Sequence, residues 1–379
     1  MAALVWRSIM TLVFALLVAA ITGVAANNND PHVYPEQGPF IEGWYARITD
    51  SSSPRSFGVL FGRVLPKPLE EGNNSTSPPL TYISIIRSDG NSAPFVVAEA
   101  YPDEDTISVT VSGGRPVTGN PDNWSPSHFE WVAKPFGFFN VTPDSTTFDF
   151  TIGDDRFSGN FGPPSPWGPH GKGPEDWLGN VPFIPLHWFV YSLATPGDFT
   201  WENDKTGLRI QGDGTMHQEK NWGNGFPASW IWMQGVNSTS STAFAGTFGV
   251  LGFGPLSVPA HLFGVRDFNT ELELNFHPVN SMARVTSDGC SGEVSIEVVS
   301  FRHKLVIRAR APPSTLQKCL RGPTERGFEN VLVESFAASV DIAVYERRLF
   351  GYRLLSTQIF EGAALEFGGE ELCPDNPCV

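Results

Sequence analysis

Sixteen residues near the middle of the chain, from Glu219-Lys220-Asn221-Trp222 to Trp230-Ile231-Trp232-Met233-Gln234, combine a carboxylate, an ammonium, amides and four bulky aromatic rings. On a strand, side chains alternate between faces, so Glu219 and Asn221 share one face and Lys220 takes the other. Trp230, Trp232 and Gln234 line a single face after the Gly/Pro turn. An inward carboxyl in an apolar pocket has a raised pKa and suits proton donation. The alternative is a hairpin with an aromatic core, its polar groups tying down the turn. A second stretch, Pro185-Leu186-His187-Trp188-Phe189-Val190-Tyr191-Ser192, places His187, Phe189 and Tyr191 on one face and Trp188, Val190 and Ser192 on the other. One imidazole among aromatics inside a barrel can donate a proton. The competing role is a satisfied core histidine.

Other chemistries leave no trace. The chain has no G-x-S-x-G, Walker loop, H-E-x-x-H or EF-hand loop. Its eight histidines form no H-x-H or H-x-x-x-H pair. His217 and Glu219 supply two potential metal ligands without a predictable third, so no metal site is assigned. No cofactor is implied. The formal charge of −15 argues against nucleic acid, which requires a basic face to displace counterions.

The elements that must position these residues are strands. With 38 Gly and 32 Pro in 379 residues, helices are broken repeatedly, while Phe, Trp, Val and Thr fill the gaps. Strand patterns recur at Ser56–Val64, Leu80–Arg87, Phe95–Ala100, Thr106–Val111, Phe129–Trp131 and Thr146–Ile152. They resume at Pro185–Leu193, Leu208–Ile210, Ser229–Gly235, Ala243–Leu251, His261–Phe263, Thr270–Phe276, Glu293–Val299, Lys304–Ala309 and Val331–Arg347. Many short strands at this spacing predict an all-β chain of antiparallel sandwich or barrel halves. The Pro-rich stretch Gly159–Pro182 reads as the internal boundary, either a plain linker or a cover over a functional opening. The expected division is therefore 27–160, a connection at 161–182, and 183–379.

Residues 1–26 are set apart as a signal peptide: Arg7, an apolar core from Ile9 to Ala20, and small residues at Gly23, Ala25 and Ala26. That core is shorter than the ~20 residues of a membrane span, and no later segment approaches one. An uncleaved signal anchor is the alternative. Export agrees with N-x-[ST] sequons at Asn73, Asn74, Asn123, Asn140 and Asn237, with Asn73 and Asn74 expected to share one glycan. It also agrees with an even cysteine count, Cys290, Cys319, Cys373 and Cys378. Three pairings are open, and the preferred one joins Cys290 to Cys319 and staples the tail through Cys373 and Cys378.

The run E-K-N-W-G-x-x-F-P-x-x-W-x-W-x-Q over residues 219–234 resembles the signature of tocopherol cyclases. Three further islands are similar: Phe40-Ile41-Glu42-Gly43-Trp44-Tyr45-Ala46-Arg47 with Ser56-Phe57, then Pro185-Leu186-His187-Trp188, then Ala364-Leu365-Glu366-Phe367-Gly368-Gly369. In order, they span most of the chain. The resemblance implies a two-part, lipocalin-like β protein with a hydrophobic pocket for a prenylated quinol or similar terpenoid. The family's activity closes a chroman ring by protonating an alkene and trapping the cation with a phenolic oxygen. Such a step needs an acid in a dry pocket, with Glu219, His187 and Glu366 as candidates and Glu219 preferred. It needs aromatic faces for the cation, for which Trp44, Trp222, Trp230 and Trp232 are candidates, with Tyr45 and Trp188 beside them. It also needs groups that orient the ring hydroxyls, for which Asn221 and Gln234 are candidates. The family's plant enzymes are plastid proteins, whereas this N-terminus points to the secretory pathway.

Two rival readings remain. A noncatalytic carrier of hydrophobic ligands would share the cavity without the chemistry. A secreted glycan-binding sandwich would use the tryptophans as an open stacking platform.

Overall fold

Strand patterning carries through to the tertiary structure. A computed structural model describes residues 27–68, 78–90, 93–111, 126–168, 171–181, 184–253, 256–270, 272–376 and 378. Among them lie two antiparallel sheets and a few short 3-10 turns, with no α-helix. The proposed leader and the sequons at Asn73, Asn74 and Asn123 fall outside the described residues. Asn140 sits half-buried within a strand, and Asn237 closes another, its amide donating to the Ile359 carbonyl at 2.9 Å.

The first sheet contains β1 (Phe40–Asp50), β2 (Ser56–Leu65), β3 (Thr81–Ser88), β4 (Val96–Ala100), β5 (Ile107–Val111), β6 (Phe129–Ala133), β7 (Gly137–Thr142), β8 (Ser145–Ile152) and β9 (Asp155–Phe161). It is completed by β10 (Leu186–Asn203) and β11 (Leu208–Gly223), which insert between β9 and β1. The order runs β4-β3-β2-β1-β11-β10-β9-β8-β7-β6-β5. One aromatic-rich core joins residues from both arms, including Trp44, Phe61, Trp131, Phe150 and Trp201, so the sheet curls around it.

The second sheet begins with β12 (Ser229–Asn237), β13 (Thr242–Phe253), β14 (Leu256–Asp267), β15 (Leu272–Phe276), β16 (Ser281–Asp288), β17 (Glu293–Ser300) and β18 (His303–Arg310). It ends with β19 (Cys319–Thr324) and the long hairpin β20 (Gly327–Arg348) and β21 (Gly351–Gly369). Its order is β15-β14-β13-β12-β21-β20-β18-β17-β16, with β19 on β20, around a second aliphatic core.

This topology moves the boundary expected at 161–182. The Pro-rich stretch joins β9 to β10 within one sheet, and the halves divide at the turn between Gly223 and Ser229. Gly223 has φ +156°, and a Cβ there would lie 2.2 Å from the Pro185 carbonyl oxygen, so the turn requires glycine.

The preferred cysteine pairing is also corrected: Cys290 bonds Cys373 and Cys319 bonds Cys378. The tail is a strap, not a self-stapled loop. It passes the β16–β17 turn, where Ser287 donates to Glu371 at 2.6 Å, and then reaches the start of β19, where Asn376 donates to the Leu316 carbonyl at 2.9 Å. Each cysteine of the tail thereby meets a different partner.

Candidate active site

The two sheets meet face to face through a third cluster of buried side chains that includes Tyr45, Trp188, Trp230, Trp232 and Leu332. Strand register determines what enters this interface. Tyr45 pairs with Glu219 across β1 and β11, and Trp188 with Asn221 across β10 and β11, so these four share the inner face. Opposite them, Trp232 pairs with Glu366 across β12 and β21, and Glu366 pairs with Glu334 across β21 and β20. All seven line one mainly apolar cavity of about 310 Å³.

Three carboxyl groups thus face the same cavity, each held by an aromatic donor. The Tyr45 hydroxyl donates to Glu334 at 3.0 Å, and Trp232 Nε1 donates to Glu219 at 3.2 Å. Trp230 Nε1 donates to Glu366. Gly368 makes that reach possible, because a Cβ there would lie 2.0 Å from the Trp230 ring. His217 Nε2 lies 2.8 Å from Glu219, so that histidine partners a carboxylate. Among the described residues no group of three or more potential ligands is placed to hold a metal.

Electrostatics separates Glu334 and Glu366 from ordinary carboxyls. Burial pushes Glu334 well above the usual carboxylate range, and the neighbouring Glu366 pushes it further, while the Tyr45 bond and Arg47 pull it partly back. Burial raises Glu366 to about 7, with the Trp230 bond opposing and Glu219 reinforcing. Two carboxyls directly opposite in a dry interface do not both ionise readily. Burial, then Glu334, also raises the Tyr45 phenol well above its ordinary value, so Tyr45 remains a donor. The arrangement can hold a proton at near-neutral pH beside apolar and aromatic walls, a setting suited to general-acid chemistry.

The sequence candidates are distributed unevenly. Glu219, Asn221, Glu366, Tyr45, Trp188, Trp230 and Trp232 line the cavity, and Trp44 borders it although its indole packs in the first core. His187 does not: its Nδ1 lies 2.8 Å from Glu175, and its ring stacks on Trp222 at 5.1 Å. Trp222 and the Trp44 indole occupy the other face of β11 and β1, around the Lys220 ammonium at 5.3 and 4.8 Å. Trp44 there donates to the Asn29 carbonyl at 2.8 Å. Gln234 accepts from Arg47 at 2.8 Å, and both are buried between the sheets.

Lys220 points away from Glu219 and pairs with Glu42 at 2.8 Å, both fully buried. Burial lowers the Lys220 pKa to about 8 against the opposing pull of Glu42. Burial alone would raise Glu42, but Lys220, His32 and Arg63 outweigh it and hold the carboxyl well below its usual range. Sequence reasoning missed Glu334 and Arg47 as members of the interface. The available signal was a lone carboxylate in the run Leu332-Val333-Glu334-Ser335-Phe336.

The Gly159–Pro182 connection contributes to the cavity wall through Glu175 and Leu178. Glu175 accepts the Trp188 amide at 2.7 Å as well as facing His187, which fastens the connection to β10.

Tocopherol cyclase, chloroplastic, of Zea mays is 28% identical over 204 residues, 51% of this chain and 41% of that protein. The chain therefore spans less than half the length of this curated relative. Kievitone hydratase from Nectria haematococca is 10% identical with a TM-score of 0.42, covering 92% of this chain and 96% of that one. An AttH-type chain from Nitrosomonas europaea is 14% identical with a TM-score of 0.47, covering 91% and 99%. Residues 38–369 match the profile described as tocopherol cyclase-like, and the chain belongs to that family.

Proposed function

We propose that this protein catalyses intramolecular ring closure of a prenylated hydroquinone or related terpenoid. The observation that carries this reading is the pair Glu334 and Glu366, whose pKa values are raised in an apolar cavity walled by Trp230 and Trp232. A proton from this pair adds to a trisubstituted alkene and leaves a tertiary cation. Flanking indole faces stabilise such a cation by up to about 2 kcal/mol each when water is excluded. The phenolic oxygen forms the new C–O bond, and its proton passes to a carboxylate. One proton leaves the pair and one arrives per turnover, so passage of the phenolic proton back to the neighbouring Glu366 resets the site, and no redox partner enters.

Roles divide within the constellation. Glu366, with Glu334, is the proposed donor in preference to Glu219, and Glu219 beside His217 is the proposed acceptor of the phenolic proton. Asn221 and Tyr45 stand where they can orient ring hydroxyls. A second reading, a noncatalytic carrier, draws on the same cavity. The glycan-binding reading has less support, since the Trp230 and Trp232 indole N–H groups are committed to carboxylates inside the interface.

The experiment is incubation of the purified protein with a panel of prenylated quinols, read by chromatography for chroman products. Product formation abolished in Glu366→Gln supports the cyclase. Saturable binding with no product from any quinol selects the carrier.

The compartment is a separate proposal. Two disulfides, the leader pattern and the sequons support export, and among the described residues no helix is long and apolar enough to cross a membrane. The maize relative, in contrast, is chloroplastic by name.

A further inference from the structure

Two hairpin tips at one end of the second sheet combine exposed rings with a concentration of positive charge. The β20–β21 turn carries Leu349 and Phe350, which are 95% and 97% exposed. The β17–β18 turn beside it carries Phe301 at 81%. The tips are joined: His303 pairs with Glu346 in register, and the Arg347 amide donates to the Arg302 carbonyl at 2.8 Å. Lys304 lies over both Tyr345 and Tyr352, at 4.8 and 4.9 Å, which fixes one hairpin against the other.

Charge at this end runs against the rest of the molecule. Arg302, Lys304, Arg347, Arg348 and Arg353 are five of only 25 Lys and Arg in a chain of formal charge −15. Two carboxylates partly offset them. Glu346 accepts Arg348 at 2.6 Å and Arg353 at 2.9 Å, and Glu297 faces Lys304 at 3.7 Å. The tip retains a net positive charge. Screening at physiological salt confines interactions to about 8 Å, so a surface touching the tip responds to these cations more than to the distant acidic body.

We propose that this end of the β20–β21 hairpin docks onto anionic lipid bilayers, with Phe301, Leu349 and Phe350 entering the interface and the arginines meeting headgroup phosphates. Large apolar side chains at full exposure on a soluble surface mark interaction sites. Ringed by cations, they match a layer that is apolar inside and anionic at its face. The proposal is independent of the cavity chemistry. Arg348 lies fourteen positions along β20 from Glu334, up to about 45 Å at the usual rise, so docking leaves the cavity clear of the bilayer.

The test is co-sedimentation of the full chain with phosphatidylcholine vesicles, with and without phosphatidylserine. The expected result is binding to the phosphatidylserine vesicles that weakens with added salt. Arg347→Gln with Arg348→Gln should reduce partitioning roughly thirtyfold, given the contribution of each cation near an anionic surface. Leu349→Ser with Phe350→Ser should abolish binding while leaving the melting temperature unchanged, because neither side chain packs in the core. Absence of binding to either vesicle, or equal binding by both variants, overturns the proposal. So does dimerisation that Leu349→Ser with Phe350→Ser removes in a protein that ignores vesicles, which would make a second copy the occupant.

Discussion

Glu334 and Glu366 stand directly opposite one another on β20 and β21, one bonded to Tyr45 from the first sheet and the other to Trp230 from the second. Like charges in direct cross-strand register are unfavourable, and burial compounds the cost. The interface tolerates the pair by keeping it at least partly protonated. Each aromatic donor prevents a carboxyl oxygen from being left without a partner. The proposed cyclase chemistry therefore draws on a proton that the fold itself obliges the pair to retain.

The pH dependence follows from the raised value near 7 for Glu366. If the protonated form is active, turnover should be high below that pH and fall as pH rises through it. Stability has the same sign. A carboxyl whose folded pKa lies above its unfolded value near 4.5 binds more protons when folded. Its contribution is most favourable below pH 4.5 and is lost as pH rises toward 7. Glu366→Gln should abolish product and reduce the fall in melting temperature across that window, the remaining slope coming from Glu334. A turnover profile in Glu366→Gln identical to that of the natural chain would reject Glu366 as the acid.

Trp230→Phe isolates the indole N–H. The ring is largely retained, but the bond that lowers the Glu366 pKa disappears. The fall in turnover at high pH should then shift upward, with binding of a prenylated quinol little changed. Trp230→Ala should instead cost about 3–5 kcal/mol of stability through the cavity left behind. Urea unfolding and a pH–rate profile measured on both variants separate the two effects. A profile that does not move in Trp230→Phe removes the indole from control of the proton.

Part of this arrangement was legible in the chain. Alternation alone separated Glu219 and Asn221 from Lys220, and placed His187 with Phe189 apart from Trp188. Trp44 and Trp222 were harder, because β1 and β11 are buried on both faces and one-sided alternation disappears. Their other face holds Lys220, a charged side chain enclosed in the core of the first sheet. Glu334 was hidden for a related reason, lying in a long run whose apolar character predicts a strand but not which carboxyl meets another. For β14 the sequence pattern predicts only His261–Phe263, because Pro259 interrupts it. The structure accommodates it where β15 does not yet pair, since that pairing begins at Phe263. The division between halves was misplaced since β10 and β11 follow the Pro-rich connection yet return to pair with β9 and β1, a long-range fact with no local signal.

Lys220 lies within the most family-like run, but its position argues for stability and not catalysis. Lys220→Met should destabilise the protein by about 3–5 kcal/mol, because it leaves Glu42 buried without its closest cation. Adding Glu42→Gln should recover much of that loss, as a buried pair replaced at both ends is far less costly than one broken at one end. Turnover per folded molecule should be unaffected in the double variant. Chemical denaturation of the two variants, with activity corrected for the folded fraction, checks all three statements. A stable but inactive Lys220→Met would move the lysine into the reaction.

The final prediction concerns the tail, where spacing favoured one disulfide pattern and tertiary contact imposes another. Cys290–Cys373 and Cys319–Cys378 span 83 and 59 residues, loops long enough that each bond restricts the unfolded chain by about 4 kcal/mol on the chain-entropy account. The tail also contacts the β16–β17 turn and the approach to β19, so releasing it exposes Leu316 and Leu372 of the second core. Cys373→Ser should lower the melting temperature under oxidising conditions, and reductant should lower that of the natural chain still further by opening both bonds. Cavity chemistry should persist at temperatures where the protein remains folded, because neither bond touches the lining carboxyls. Non-reducing peptide mapping should recover a 290–373 cross-link and a 319–378 cross-link, with no alkylatable thiol. Recovery of Cys373 joined to Cys378 within one tail peptide would overturn the strap, and four free thiols would also remove the main structural support for export.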